Sequence, residues 1–172
     1  VLITHDERAV LVKRSRTTSS GRGGNHISVN EGMLPTDRHG GVLDPITGIL
    51  RGAEEELGLT GIPRSCVTFH SAMYDVRRYQ FGLLGTIDLR ELPAGHDAAY
   101  TSEQVLSIYR AAFAKDRYEN RGLETIPWTD RAILAAIAEP EWIEHGRLNL
   151  ALSAASERPL VKARQFLDAA LS

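Results

Sequence analysis

Asp44-Pro45-Ile46-Thr47-Gly48-Ile49-Leu50-Arg51-Gly52-Ala53-Glu54-Glu55-Glu56-Leu57-Gly58-Leu59 is the most informative stretch of this chain. Asp44 suits an N-cap, and Pro45 suits the first helical position, where its missing N–H is not needed. Ile46, Ile49, Leu50, Ala53 and Leu57 recur at helical spacing and predict a buried stripe. Gly58 supplies the left-handed stop. Arg51 and Glu55 lie four residues apart and share a face, so they can pair. Glu56 sits about 100° round the helix and is expected to point at a ligand. Three consecutive Glu at the negative end of the macrodipole cost a few tenths of a kcal/mol each. A solvated acidic helix end is the plain reading; the unfavourable dipole speaks for a further use. Neighbouring carboxylates offer the hard oxygens that Mg²⁺ or Mn²⁺ prefers, with waters left over for substrate phosphates.

Working outward, 172 residues suit one domain with a real core. Hydrophobic residues make up 42% and charged residues 24%, a globular balance. A formal net charge of −2 gives no overall field toward DNA, RNA or an anionic membrane. The basic run Lys13-Arg14-Ser15-Arg16 is short and reads as a loop edge. A single cysteine, Cys66, excludes an intramolecular disulfide and a zinc–cysteine cluster, which fits a cytoplasmic protein. No apolar run approaches a membrane span and no signal-peptide pattern appears. The chain opens on Val1, without Met and inside strand-like sequence. That suggests a fragment or processed chain, with a missing N-terminal segment or fused domain ahead of it.

Val1–Thr4 and Ala9–Val12 read as a β-hairpin around Asp6-Glu7-Arg8. Residues 16–25 form a Ser/Thr/Gly-rich loop, Ile27–Asn30 a short strand, and residues 32–43 a second loop. Beyond the central helix, Cys66–His70 and Tyr79–Leu89 read as strands. Thr101/Ser102 caps a helix to about Ala114. Leu123–Ile126 is a short strand, and Thr129 caps a helix to about Ala138. Two helices follow, roughly Glu141–Ala155 and Pro159–Leu171. Strands, helix, strands and then several helices make the class α+β.

Together these residues resemble the Nudix hydrolase family. Arg51, Ala53, Glu55, Glu56, Gly58 and Leu59 match the second half of its signature, Arg-Glu-hydrophobic-any-Glu-Glu-any-Gly-hydrophobic. Glu31-Gly32 looks like the start of the motif, and Leu11–Ser15 looks like the first core strand. The resemblance covers residues 1 to about 130, with the later helices as an elaboration of a single domain. It implies an α/β/α sandwich with a mixed sheet and a Mg²⁺ or Mn²⁺ site. Glu55, Glu56 and the Gly32 carbonyl would be metal ligands, and Glu55, Glu56 and Arg51 the catalytic group.

Two signature carboxylates are missing. Gly52 stands where the first helical Glu belongs, and Leu43 where the upstream Glu belongs. The gap from Gly32 to Leu43 is ten residues rather than five. Positions 52 and 56 share one face, so the lost acid is the natural partner of Glu56; Glu54, about 200° round from 52, cannot replace it. Gly48 and Gly52 together make a smooth groove where a backbone or ligand can come close. Candidate replacement ligands are Glu119, Glu31 and, from the inserted loop, Asp37 and His39; the plain readings are a surface salt bridge for Glu119 and an exposed loop for Asp37 and His39. Gly52→Glu is the substitution expected to restore a lost ligand. His5, His26 and His70 lack metal-ligand spacing and read as structural or surface groups. Trp128, Trp142, Phe69, Tyr74 and Tyr79 read as core, with the last three alternatively lining a pocket.

Two functions stay open. One is a Mg²⁺-dependent hydrolase cleaving the diphosphate linkage of a nucleoside diphosphate joined to another group. The other is an impaired Nudix-like module that binds a nucleotide-type ligand as a sensor. Either takes a small-molecule partner. No membrane partner is expected, and nothing strongly signals nucleic-acid binding. Leu148, Leu150, Leu152, Leu160, Val161, Phe166 and Leu167 either cover the core or meet a partner such as a second copy.

Overall fold

The computed structural model describes residues 1–16, 23–76, 79–111 and 120–171. Its class is α+β. A mixed sheet is formed by β1 (Leu2–Ile3), β2 (Arg8–Arg14), β3 (Asn25–Ile27), β6 (Val67–Asp75), β7 (Gln80–Asp88) and β8 (Asn120–Pro127). A two-stranded hairpin, β4 (Arg38–His39) with β5 (Val42–Leu43), stands apart. The helices are α1 (Pro45–Leu57), α2 (Ser102–Arg110), α3 (Asp130–Ile137), α4 (Glu144–Ser156) and α5 (Leu160–Leu171).

Side-chain alternation along the strands builds two cores, one on each face of the sheet. Leu2 and Val10 meet Ala53 and Leu57 of α1 and Val105 of α2. Ile3, Ala9 and Leu11 meet Ile133 of α3, Leu150 of α4 and Phe166 of α5. The result is helices, sheet, helices. The C-terminal helices therefore cover a core that the strands alone would leave wet. Trp128 and Trp142 pack against that second core.

Strand β2 positions the rest. One of its edges pairs with β8 along its length. The other is shared end to end: Ala9 and Val10 pair with β1, and Leu11, Val12 and Lys13 pair with β3. Strand β1 continues into β7 in parallel, and β7 pairs antiparallel with β6. The sheet thus forks where β2 passes from β1 to β3. Ser28 Oγ accepts the Leu2 N–H across the fork at 2.9 Å.

Several expectations are corrected. The third strand covers Asn25–Ile27 and stops before Ser28, because Ser28–Asn30 turn toward α1 instead of continuing the ladder. The 32–43 segment contains the β4–β5 hairpin, turned by Gly40 and Gly41, both at positive φ. The second helix ends at Arg110, and residues 112–119 lie outside the described residues. Tyr74 and Tyr79 are exposed, not core, and Phe81, which pairs with Tyr74 across β6 and β7, is exposed with them. Among the described residues no helix is long and apolar enough to cross a membrane.

Candidate functional site

Helix α1 carries the site and is tied at both ends. Asp44 accepts the Thr47 N–H at 2.7 Å, and Pro45 follows as the first helical residue. Arg64 grips the Asp44 carboxylate through two nitrogens and holds its pKa well below the usual carboxylate range, with Thr47 adding to the effect. At the other end Gly58 turns left-handed at φ 77°; its N–H bonds Glu54 O and the Leu59 N–H bonds Ala53 O. The helix cannot slide, so the register of Arg51 through Glu56 is set.

Besides Ala53 and Leu57 of the expected stripe, the buried face of α1 includes two glycines and an acid, with Ile49 and Leu50, partly covered, packed against the same core. Gly48, Gly52, Ala53, Glu56 and Leu57 are buried, whereas Ile46, Ile49 and Leu50 are only partly covered. The two glycines receive the chain's own loop, residues 29–37. A Cβ on Gly48 would lie 3.1 Å from Asp37 Oδ2. A Cβ on Gly52 would lie 2.7 Å from Glu31 Cβ and 2.9 Å from Val29 Cγ1. Position 52 therefore has no room for a side chain. Gly52→Glu is not a simple restoration: a carboxylate there would have to evict Glu31.

Arg51 is the hub of this packing. Its Nε and Nη2 donate to the two Asp37 oxygens at 2.9 and 3.0 Å, a bidentate pair. Nη1 donates to Glu55 Oε2 at 2.7 Å and lies 3.2 Å from Glu31 Oε2. Nη2 also donates to the Gly32 carbonyl at 2.8 Å. Asp37 is only 2% exposed and also accepts the Leu34 N–H. Arg51, and then that N–H, hold the Asp37 carboxyl below its ordinary value. The same partners, Asp37 first, push the Arg51 guanidinium up.

The expected Arg51–Glu55 pair is thus present, with two further acids joined to it. Glu31 and Asp37 come from the loop, Asp37 pointing inward rather than outward. His39 is exposed. Glu56 is 6% exposed, and its Oε1 accepts the Asn30 N–H at 3.0 Å. It does not project freely at a ligand; it ties the loop to the helix. Glu54 is exposed. Glu119 lies outside the described residues. Among the described residues no three Asp, Glu, His or Cys side chains come together as a ready-made metal ligand set.

A cavity of about 490 Å³ opens beside this cluster, in the fork of the sheet. Asn30, Glu31 and Gly32 line its acidic rim, and Ile49, Phe69, Met73 and Phe81 line its walls. His26, His145 and Asn149 line it as well. Periodicity did not announce His145 and Asn149, because α4 is buried on much of its circumference and shows no polar stripe. The Asn and His types inside an apolar run were the one available signal. His5 and His70 have structural bonds, to the Leu89 carbonyl and the Thr86 hydroxyl.

No protein-family model matches the chain, and no curated protein matches it in sequence.

Proposed function

We propose that the protein is a Nudix-like, Mg²⁺- or Mn²⁺-dependent hydrolase of a nucleoside diphosphate joined to another group, with its first helical carboxylate replaced by Glu31. The observation that carries this reading is the contact of Glu31 with Gly52. A loop acid occupies the space next to Glu55 and Glu56 that a carboxylate at position 52 would need. Loss of the helical acid and gain of the loop acid then form one exchange, made possible by the absent Cβ.

The groups on offer suit a hard cation. Glu31, Glu55, Glu56 and the Gly32 carbonyl are all oxygen donors, and the side chains of Glu31 and Glu55 are about one-fifth to one-quarter exposed at 21% and 25%. Glu119 is a further candidate ligand. A bound divalent ion would supply charge for a phosphoryl oxygen and a more acidic water. The chain's own part is positional. Arg51 holds Glu31 and Glu55 apart from one another's repulsion and fixes the Gly32 carbonyl. Glu56 fixes the loop through Asn30. The cavity takes the body of the substrate while its diphosphate lies at the acidic rim.

A second reading has its own observation. Arg51 already neutralises much of the acid cluster and Glu56 is spent on a backbone N–H, as expected of a module that binds a nucleotide-type ligand without turning it over. One assay separates the two. The purified chain with Mg²⁺ or Mn²⁺ is offered a panel of nucleoside diphosphate derivatives, and product release and binding are measured together. The hydrolase reading expects metal-dependent turnover that falls about a hundredfold or more in Glu31→Gln. Binding without product overturns it in favour of the module.

A further inference from the structure

The cavity has an inner polar end that the acid chemistry does not use. Asn149, on α4, is 4% exposed and lines the cavity. Its Oδ1 accepts the hydroxyl of Ser153, one turn on, at 3.1 Å. Ser153 is fully buried, so the amide is held with its oxygen occupied. The Asn149 Nδ2 has no protein partner among the described residues. That nitrogen is open to the cavity rather than sealed in protein, so it is a donor on offer to whatever occupies this wall.

The neighbouring histidines define the charge at this end. His26 is 1% exposed. Its Nδ1 lies 3.0 Å from the Ile27 carbonyl, which can only accept, so Nδ1 carries the proton. Its Nε2 then accepts from His145 Nε2 at 2.8 Å. The two rings meet edge to face, with 4.7 Å between centroids. Gly146 makes this contact possible, since a Cβ there would lie 3.1 Å from His26 Cδ2. Arg14 also lines the wall and is itself partnered. The donor offered to the cavity at this end is therefore a neutral amide beside a neutral imidazole, and Phe69 and Met73 belong to the apolar part of the same lining.

We propose that this inner end is a recognition subsite for an uncharged planar ring of the nucleobase type, which enters with a carbonyl oxygen or bare ring nitrogen toward Asn149 Nδ2. The amide is an uncharged donor, which suits a carbonyl oxygen or a bare ring nitrogen, and a wholly apolar ring would make no use of it; the cationic groups of the same cavity, Arg14 and the Val1 amino group, are already partnered. The inference rests on the nucleotide reading for the kind of ring, but not on hydrolysis.

The test is made in metal-free buffer, where hydrolysis plays no part. Uridine, cytidine, adenosine and guanosine are titrated into the full chain by calorimetry, with methyl riboside as the ring-free control. At least one nucleoside is expected to saturate the protein while methyl riboside does not. Asn149→Asp keeps the size and removes the donor, and is expected to weaken binding about tenfold. Should Asn149→Asp fail to fold, the wild-type Asn149 side-chain amide resonance decides: it must shift on titration. Absence of binding by all four nucleosides, equal binding by methyl riboside, an unaffected Asn149→Asp or an unmoved amide resonance overturns the subsite. Hydrolysis without nucleoside binding would leave the acid site standing and remove this one.

Discussion

Helices α1 and α4 both present a glycine where another part of the chain comes close, and they use the space in opposite ways. Gly52 of α1 admits Glu31, so charge is gathered: three carboxylates reach Arg51 and a fourth, Glu56, holds the loop. Gly146 of α4 admits His26, and there burial holds an imidazole neutral. One cavity runs between them. The contrast teaches that a missing side chain specifies nothing by itself; what enters the space sets the electrostatics.

The largest expected effect breaks the charged side. Arg51→Met removes the only guanidinium shared by Glu31, Asp37 and Glu55 among the described residues, leaving Asp37 buried without its partner. Breaking a largely buried pair this way costs about 3–5 kcal/mol. Urea denaturation at neutral pH is expected to show a loss in that range; a loss below about 1 kcal/mol would make the cluster an ordinary surface network.

The neutral side is sharpened by pH. Burial pushes the His26 imidazole down to about 3, and the neighbouring His145 adds to the effect. In the unfolded chain a histidine takes its proton near pH 6.5. Between those values the unfolded state binds a proton that the folded state refuses. Stability is therefore fully present above about 6.5, falls as pH drops toward 3, and levels below. The fall is on the order of 5 kcal/mol. His26→Leu is expected to flatten that limb of a stability–pH curve, whatever it does to stability at pH 8.

The smallest effect compares the glycines directly. Gly52→Ala gains helix propensity of about 1 kcal/mol but forces a Cβ to within 2.7 Å of Glu31 Cβ and 2.9 Å of Val29 Cγ1. A net loss of about 1–2 kcal/mol is expected. Gly146→Ala meets His26 at 3.1 Å, a milder overlap, and its net loss should stay below about 1 kcal/mol. Thermal melts of the two variants side by side check the order; equal losses would remove the distinction drawn between them.

Much of the scaffold was legible in the sequence. Asp44, Pro45 and Gly58 are local signals, and local chemistry acts at them as expected. The Arg51–Glu55 pair was readable because helical geometry alone places residues four apart together. The direction of Glu56 was not readable, since its partner, the Asn30 N–H, is 26 residues away. The same holds for Asp37, whose inserted loop looked solvent-bound until it folded onto Arg51. Asn149 lay hidden because α4 is covered by the sheet on one side and by α3 and α5 on the other, which erases periodicity.

Sequence by itself determined the helix that bears the acids, its two ends, the strand alternation and the vacancy at position 52. These depend on dihedral preference, capping and side-chain period, all of which act within a few residues. Tertiary structure alone decided that Glu31 fills that vacancy, that Glu56 faces inward, and that β2, shared between β1 and β3, opens a fork for a cavity. Those outcomes depend on which distant backbone donors and carboxylates come within about 3 Å. No local pattern encodes that distance.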